Sequence, residues 1–316
     1  MGSISHRPDA GNMAASEFAE LRRQVDARLD ELLPKVGGDP VSLAMRDCLL
    51  AGGKRVRPSL LVLAARGLGH ESPALLDLGC AVELIHSASL ILDDLPCMDD
   101  ASLRRGRPTT HRQYGEDVAM LAMVALLSRA FGLVSAAPGI APDIRAEMVT
   151  QLSRAVGEQG LVRGQYQDLH AAEHLRDVDD VTTTNTLKTG ALFQATLALA
   201  GLAASASATV ASHLQYFALA LGQAYQLYDD LTDGLAVNGK DIDQDRGKAT
   251  LVTLLGEREV RRRLAGHLAE ADLHLVAIFG ADSPLSRFMH KLFSRAENQP
   301  GAARSSGKLA FPLTRL

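Results

Sequence analysis

The chain runs to 316 residues, enough to bury a large core in one big domain or two ordinary ones, and no linker divides it. Its 33 Lys plus Arg against 37 Asp plus Glu give a net charge of -4, which excludes a general attraction to nucleic acid or anionic lipid, so basic residues count only where they cluster. No apolar run approaches the roughly eighteen residues of a bilayer span without a charge or glycine in it, which predicts no integral membrane segment, and the three cysteines, lacking any CxxC pair, point to a reduced, cytoplasmic setting.

The opening "MGSISHRPDAGNMAAS" has no apolar signal-peptide core and predicts a flexible tail over 1–16. From Leu21, Val25, Leu29 and Leu32 onward, apolar residues recur at three and four, the spacing of amphipathic helices. Pro and Gly punctuate the series at "LPKVGGDP", "AGGKRVRP", "RGLGHESP" and "SAAPGIAP", and alternating strand-like runs are missing. The expectation is an all-α fold: a single-domain helical bundle over 17–295, with helix ends facing a central cavity and a loosely held tail over 296–316. "LGCAVELIHSASLILDD", "VAMLAMVALLSRAFGLVSA" and the long run ending "ALALGQAYQLYDD" are apolar nearly all round and are read as central helices.

Two of these helices end in paired aspartates. "SLILDDLPCMDDASLRRGRPTTH" sets Asp93, Asp94, Asp99 and Asp100 within one short turn, where like charges repel and a helix C-terminus adds its own negative end. Something cationic must compensate them: the arginines at 104, 105 and 107, a metal, a phosphate, or several of these together. In "YQLYDDLTD", Asp229 and Asp233 flank Asp230 one helical turn apart on one face, a claw suited to Mg2+, which takes oxygen ligands and completes its shell with substrate phosphates.

The anion side is expected at "AGGKRVRP", where a Gly-Gly break exposes Lys54, Arg55 and Arg57 together. It is not a Walker A loop, since Cys48 stands where the first Gly is needed and Arg55 where Ser or Thr should follow the lysine. Its companions are Arg104 and Arg105, Lys188 in "LKTG", and Lys240 and Lys248 in "NGKDIDQDRGKAT". His86, two turns before Asp93 on the same helix, is read as a phosphate donor or a satisfied core histidine. In "VGEQGLVRGQYQDL" the glycines at 157, 160 and 164 suggest close packing, while Gln165 and Asp168 are candidates to support the lysines and metals from behind. No Ser-His-Asp or Cys-His arrangement, HExxH or GxGxxG is present, so acyl and hydride transfer lack support.

Together these residues resemble the trans-isoprenyl diphosphate synthases from about Phe18 to Phe293. The ordered series GGKxxRP, His-x6-DDxxxxD-x4-RRG, KTG, QxxDDxxD and two lysines is complete, and the detail of "ASLILDDLPCMDDASLRRGRPTTH" and "TTNTLKTGALF" looks most like the bacterial geranylgeranyl diphosphate synthases of carotenoid pathways. One departure is "AMLAMVALL", where most members carry an Asp-Ala pair. The resemblance implies isopentenyl and allylic diphosphates as substrates, two or three Mg2+ ions, and a homodimer. It assigns the metals to Asp93, Asp99, Asp229 and Asp233, with Asp94 and Asp230 beside them, and the allylic diphosphate to Arg104, Lys188 and Lys240. Isopentenyl diphosphate falls to Lys54, Arg57, His86 and Arg105, and Thr189, Gln226 and Lys248 complete the substrate contacts. Ala88 and Ser89, small residues just before the aspartates where fifteen-carbon synthases carry an aromatic, imply a twenty-carbon product, with Met123 or Leu127 as a further wall. The rival readings are a farnesyl or longer-chain synthase, a class I terpene cyclase, and a non-catalytic partner subunit.

Overall fold

The computed structural model describes residues 10–34, 38–170, 177–232 and 250–297. The elements run α1 Ala10–Leu32, α2 Pro40–Leu50, α3 Val56–Gly67, α4 Ala74–Asp93, β1 Leu103–Arg104, β2 Arg107–Pro108, α5 Thr110–Tyr114, α6 Glu116–Ser135, α7 Pro142–Val156 and α8 Leu161–Leu169. There follow α9 Val178–Asn185, a π-helical turn Thr186–Gly190, α10 Ala191–Ala203, α11 Ala208–Thr232, α12 Leu251–Leu255, α13 Glu257–Phe279 and α14 Pro284–Glu297. The all-α reading therefore stands. One hairpin was not foreseen: Leu103 pairs with Pro108 and Arg104 with Arg107. Its two central residues, Arg105 and Gly106, have φ of 54° and 75°, the positive pair that a type I′ turn requires. Helix α1 begins at Ala10, inside the stretch read as tail, and the expected tail beyond Glu297 lies outside the described residues.

Helices α3, α4, α10 and α11 form the centre. α4 packs on α3, α6 and α10, and α11 lies between α10 and α13. Residues 56–65 of α3 are all buried, as are Leu78, Ala81, Val82, Ile85, Ala88 and Ile91 along α4. Such continuous burial is what a helix apolar nearly all round demands. Both aspartate-ended helices thus run through the core before reaching their paired aspartates, α11 from Leu214 onward.

Charge and glycine do interrupt α4 and α6, yet both twenty-residue helices are long and apolar enough by composition to cross a membrane, with mean hydropathies of 1.7 and 2.0. The expectation that no such run is free of charge or glycine therefore holds, while composition alone passes both helices. They differ in what covers them: 72% of the apolar window of α4 is buried inside the fold, against 28% for α6. Met120, Leu121 and Val124 of α6 are exposed, and a hollow of about 460 Å³ runs along its outer face between Ala125, Arg129 and Ala136.

Candidate active site

At the end of α4 the backbone folds back so that Asp99 N–H donates to Asp93 C=O at 3.0 Å, which returns the second aspartate pair to the first. Two of the four carboxylates are taken by arginines. Asp94, buried, accepts from Arg104 Nε at 3.0 Å, and Asp100 accepts from Arg112 at 2.9 Å. Arg112 has no place in the sequence reading, because its link to the loop depends on the hairpin placing α5 beneath it. Burial pushes the Asp93 carboxyl up to about 6; Lys188 and Arg104 pull the other way, while Asp99 and Asp94 add to the rise. A metal-free Asp93 is therefore in an unfavourable place for a charge, the situation a divalent cation relieves.

At the end of α11, Asp229 and Asp230 are half-buried. Gln226 donates to Asp230 at 2.9 Å, and its Oε1 accepts from Thr189 Oγ1 at 3.0 Å. The amide oxygen of Gln226, expected among the substrate contacts, is thus already shared with Thr189. Asp233, Lys240 and Lys248 lie outside the described residues. Among the described residues no three His, Cys, Asp or Glu side chains converge into a cluster able to hold a metal alone. The donors are instead divided between two helix ends, an arrangement that fits a hard cation whose shell is completed by phosphate oxygens.

Lys188 and Thr189 stand on the π-helical turn, wedged between α8 and α11. A Cβ at Gly164 would fall 2.5 Å from Lys188 N, which only glycine permits, and one at Gly222 would fall 3.0 Å from Gly190 Cα, tight enough that the turn would have to give way. The close-packing expectation holds at Gly164. At Gly157 and Gly160 it does not: there a Cβ would strike carbonyls of its own chain, Ser153 O at 2.8 Å and Ala155 O at 2.0 Å. Lys188 Nζ donates to Asp168 Oδ2 at 2.8 Å, which supports the expected role of Asp168 behind the lysine. Burial opposes the Lys188 charge, but Asp93 and Asp168 outweigh it and leave its pKa raised. Gln165, one turn earlier on α8, is buried with neither amide atom partnered.

The basic turn is not the uniformly exposed patch that the Gly-Gly break suggested. Lys54 is exposed, with Nζ 5.6 Å from the Tyr228 ring centroid. Arg55 is 2% exposed and structural: it takes φ of 48°, donates to Asp26 at 2.7 Å and to Glu83 at 2.8 Å, and reaches the Leu49 carbonyl. Arg57, 7% exposed, makes no ion pair among the described residues, and its Nε is buried with no hydrogen-bond partner. Burial lowers its pKa, with Tyr225, Glu83 and Asp229 acting in the opposite sense.

Arg105 is exposed and donates to the Gly52 carbonyl, which brings the hairpin to the Gly-Gly turn. His86 is held neutral, its pKa driven well below the ordinary value by burial and by the guanidinium groups of Arg57, Arg105, Arg104 and Arg55. Of the four residues expected to act together, Arg57 and Arg105 lie close enough to act on His86, as does Arg104, while Lys54 lies by the Tyr228 ring. Ala88 is 1% exposed on the buried side of α4, and Ser89 Oγ is turned back to the His86 carbonyl at 2.9 Å.

The polyprenyl synthetase family profile matches residues 40–272. The geranylgeranyl diphosphate synthase of Pantoea ananas is 50% identical over 281 residues, 87% of this chain and 92% of that protein. The enzyme of the same name from Pseudescherichia vulneris is 48% identical, covering 90% and 94% of the two chains. Among solved structures, an FPP/GFPP synthase from Zymomonas mobilis superposes with a TM-score of 0.80 at 32% identity, covering 89% of this chain and 99% of that one. A Helicobacter pylori geranyltransferase complexed with magnesium and isoprenyl diphosphate gives 0.78 at 27%, covering 94% and 99%. With its helical core, its two aspartate-ended helices and these relatives, the chain belongs to the polyprenyl synthetase family of magnesium-dependent trans-prenyltransferases.

Proposed function

We propose that this enzyme joins isopentenyl diphosphate to farnesyl diphosphate, giving geranylgeranyl diphosphate and free diphosphate. The observation that carries the two-substrate reading is that the charges fall into two neighbouring sets. Paired carboxylates with Lys188 and Arg104 occupy the ends of α4 and α11, while Arg57, buried and short of a hydrogen-bond partner, waits with Lys54, Arg105 and His86 beside another turn. One diphosphate suits each set.

Asp93, Asp99 and Asp229 would hold Mg2+, joined by Asp233 on the motif alone, and Asp94 and Asp230 fix the geometry through Arg104 and Gln226. When bound, two or three such ions would neutralise the leaving diphosphate. Lys188 and Arg104 bind its free oxygens, as would Lys240, with Lys248 nearby in the sequence; the allylic C1–O bond breaks, and the electron pair leaves with the diphosphate. Lys54, Arg57, Arg105 and the one N–H of neutral His86 orient isopentenyl diphosphate so that its double bond attacks C1. The new C–C bond forms, a proton leaves the adjacent carbon, and the released diphosphate accepts it. Thr189 and the remaining lone pair of Gln226 face the developing positive charge.

The twenty-carbon product rests on Ala88, whose small side chain is buried on α4 a little over one turn before Asp93, and on the two relatives that are about half identical to this chain over the aligned residues. A second copy seated on the exposed apolar face of α6 makes the working unit a homodimer. The three free cysteines suit a cytoplasmic place in carotenoid-type isoprenoid synthesis. The test is diphosphate release with purified protein: it should require Mg2+ and both substrates together. Release from the allylic diphosphate alone at the same rate would favour a cyclase and reject this reading.

A further inference from the structure

We infer that Phe193 is a positioning residue for Arg57 and, through it, for the second diphosphate. This inference rests on the proposed function above. Arg57 Cζ lies 4.4 Å from the centroid of the Phe193 ring, close enough for the guanidinium to stack on the aromatic face. Phe193 is fully buried, and its own ring rests on Tyr225 with centroids 5.5 Å apart at 53°. Glu83, whose charge acts on Arg57, does not compete for it, since it is committed to Arg55 at 2.8 Å. Arg57 is thus held by a face rather than by a carboxylate. Its Nε stays without a hydrogen-bond partner, and its charge is retained in a buried place for an anion brought from outside.

The platform also joins the two halves of the site. Phe193 lies in the first turn of α10, five residues after Lys188, and a Cβ at Gly222 would meet Gly190 Cα at 3.0 Å and Phe193 Cδ2 at 3.7 Å. The helix contact that seats the π-helical turn of Lys188 and Thr189 therefore seats Phe193 as well. Tyr225 stands one turn before Asp229 on α11, so the column Arg57–Phe193–Tyr225 runs from the arginine to the helix that carries the second aspartate pair.

The experiment replaces the ring while keeping bulk, in Phe193→Leu and Phe193→Met, and reads steady-state constants for each substrate separately. Loss of the stacking face should raise the KM for isopentenyl diphosphate on the order of tenfold, with kcat and the allylic KM within about twofold. In an Arg57→Lys background, where the planar cation is gone, the same replacement should change little. Equal losses on both substrates, or full additivity of the two substitutions, would overturn the assignment. Phe193→Met serves if Phe193→Leu does not fold. Titration of each folded variant with inorganic diphosphate keeps the test independent of turnover: wild type without condensing activity would refute the function, whereas Phe193 variants that bind diphosphate as wild type does would refute the platform.

Discussion

Lys188 Nζ donates to Asp168 Oδ2 at 2.8 Å, so the lysine that faces Asp93 is held from behind by α8. Both side chains are about a quarter exposed, which leaves the lysine able to reach an incoming phosphate without leaving its partner. Asp168→Asn keeps the shape and removes the charge. A charge-assisted hydrogen bond is worth about 1.5 to 3 kcal/mol, so kcat/KM for the allylic substrate should fall roughly tenfold to a hundredfold, as read by steady-state kinetics. Isopentenyl KM should hold within about twofold.

The metal requirement should be visible in stability as well as rate. Asp93 has its pKa raised from 3.8 to about 6, so between those values the folded state binds more protons than the unfolded one. Stability therefore falls as pH rises through about 4 to 6, and the whole penalty, up to about 3 kcal/mol, is present above that window. Mg2+ with inorganic diphosphate should relieve it, giving a larger rise in Tm at pH 7.5 than at pH 5. Asp93→Asn should raise the metal-free Tm at pH 7.5, flatten the pH dependence and abolish turnover. A metal-free Tm that climbs with pH across the window would contradict the sign.

Arg55 and Arg57 should part company under mutation. Arg55→Met leaves Glu83 buried and unpaired, which costs about 3 to 5 kcal/mol, measurable as a lower urea midpoint with unchanged slope. Arg57→Ala should lower stability far less and weaken isopentenyl diphosphate roughly tenfold to a hundredfold. Reversal of these two outcomes would remove Arg57 from the site.

Ala88 is fully packed on α4, so a phenyl ring there must either displace neighbours or fill the space a growing chain enters. Ala88→Phe should shift the product from twenty carbons to fifteen by chromatography of the released alcohols. A Phe variant that still makes twenty-carbon product would place the floor elsewhere.

Much of this was legible from spacing. The three-and-four recurrence gave the helices, and apolar runs ending in Asp-Asp placed the carboxylates at helix ends, because the run and its charged terminus lie in one continuous segment. What escaped is long-range. Arg55 and Arg57 read alike in "KRVR", yet Arg55 turns toward Asp26 and Glu83, 29 and 28 residues away, while Arg57 turns toward Phe193. A left-handed residue at the start of α3 separates their directions, and no local pattern announces it. The π-helical turn at Thr186–Gly190 was equally hidden, since it depends on Gly164 and Gly222 admitting neighbouring helices.

The most direct measurement of the central claim is product analysis after incubating the full chain with Mg2+, labelled isopentenyl diphosphate and farnesyl diphosphate. One labelled unit should enter each farnesyl chain, giving a twenty-carbon diphosphate, and chelation of Mg2+ should stop incorporation. Consumption of the allylic diphosphate with no label entering the product, or farnesyl diphosphate recovered unextended while shorter starters are elongated to it, would contradict the account.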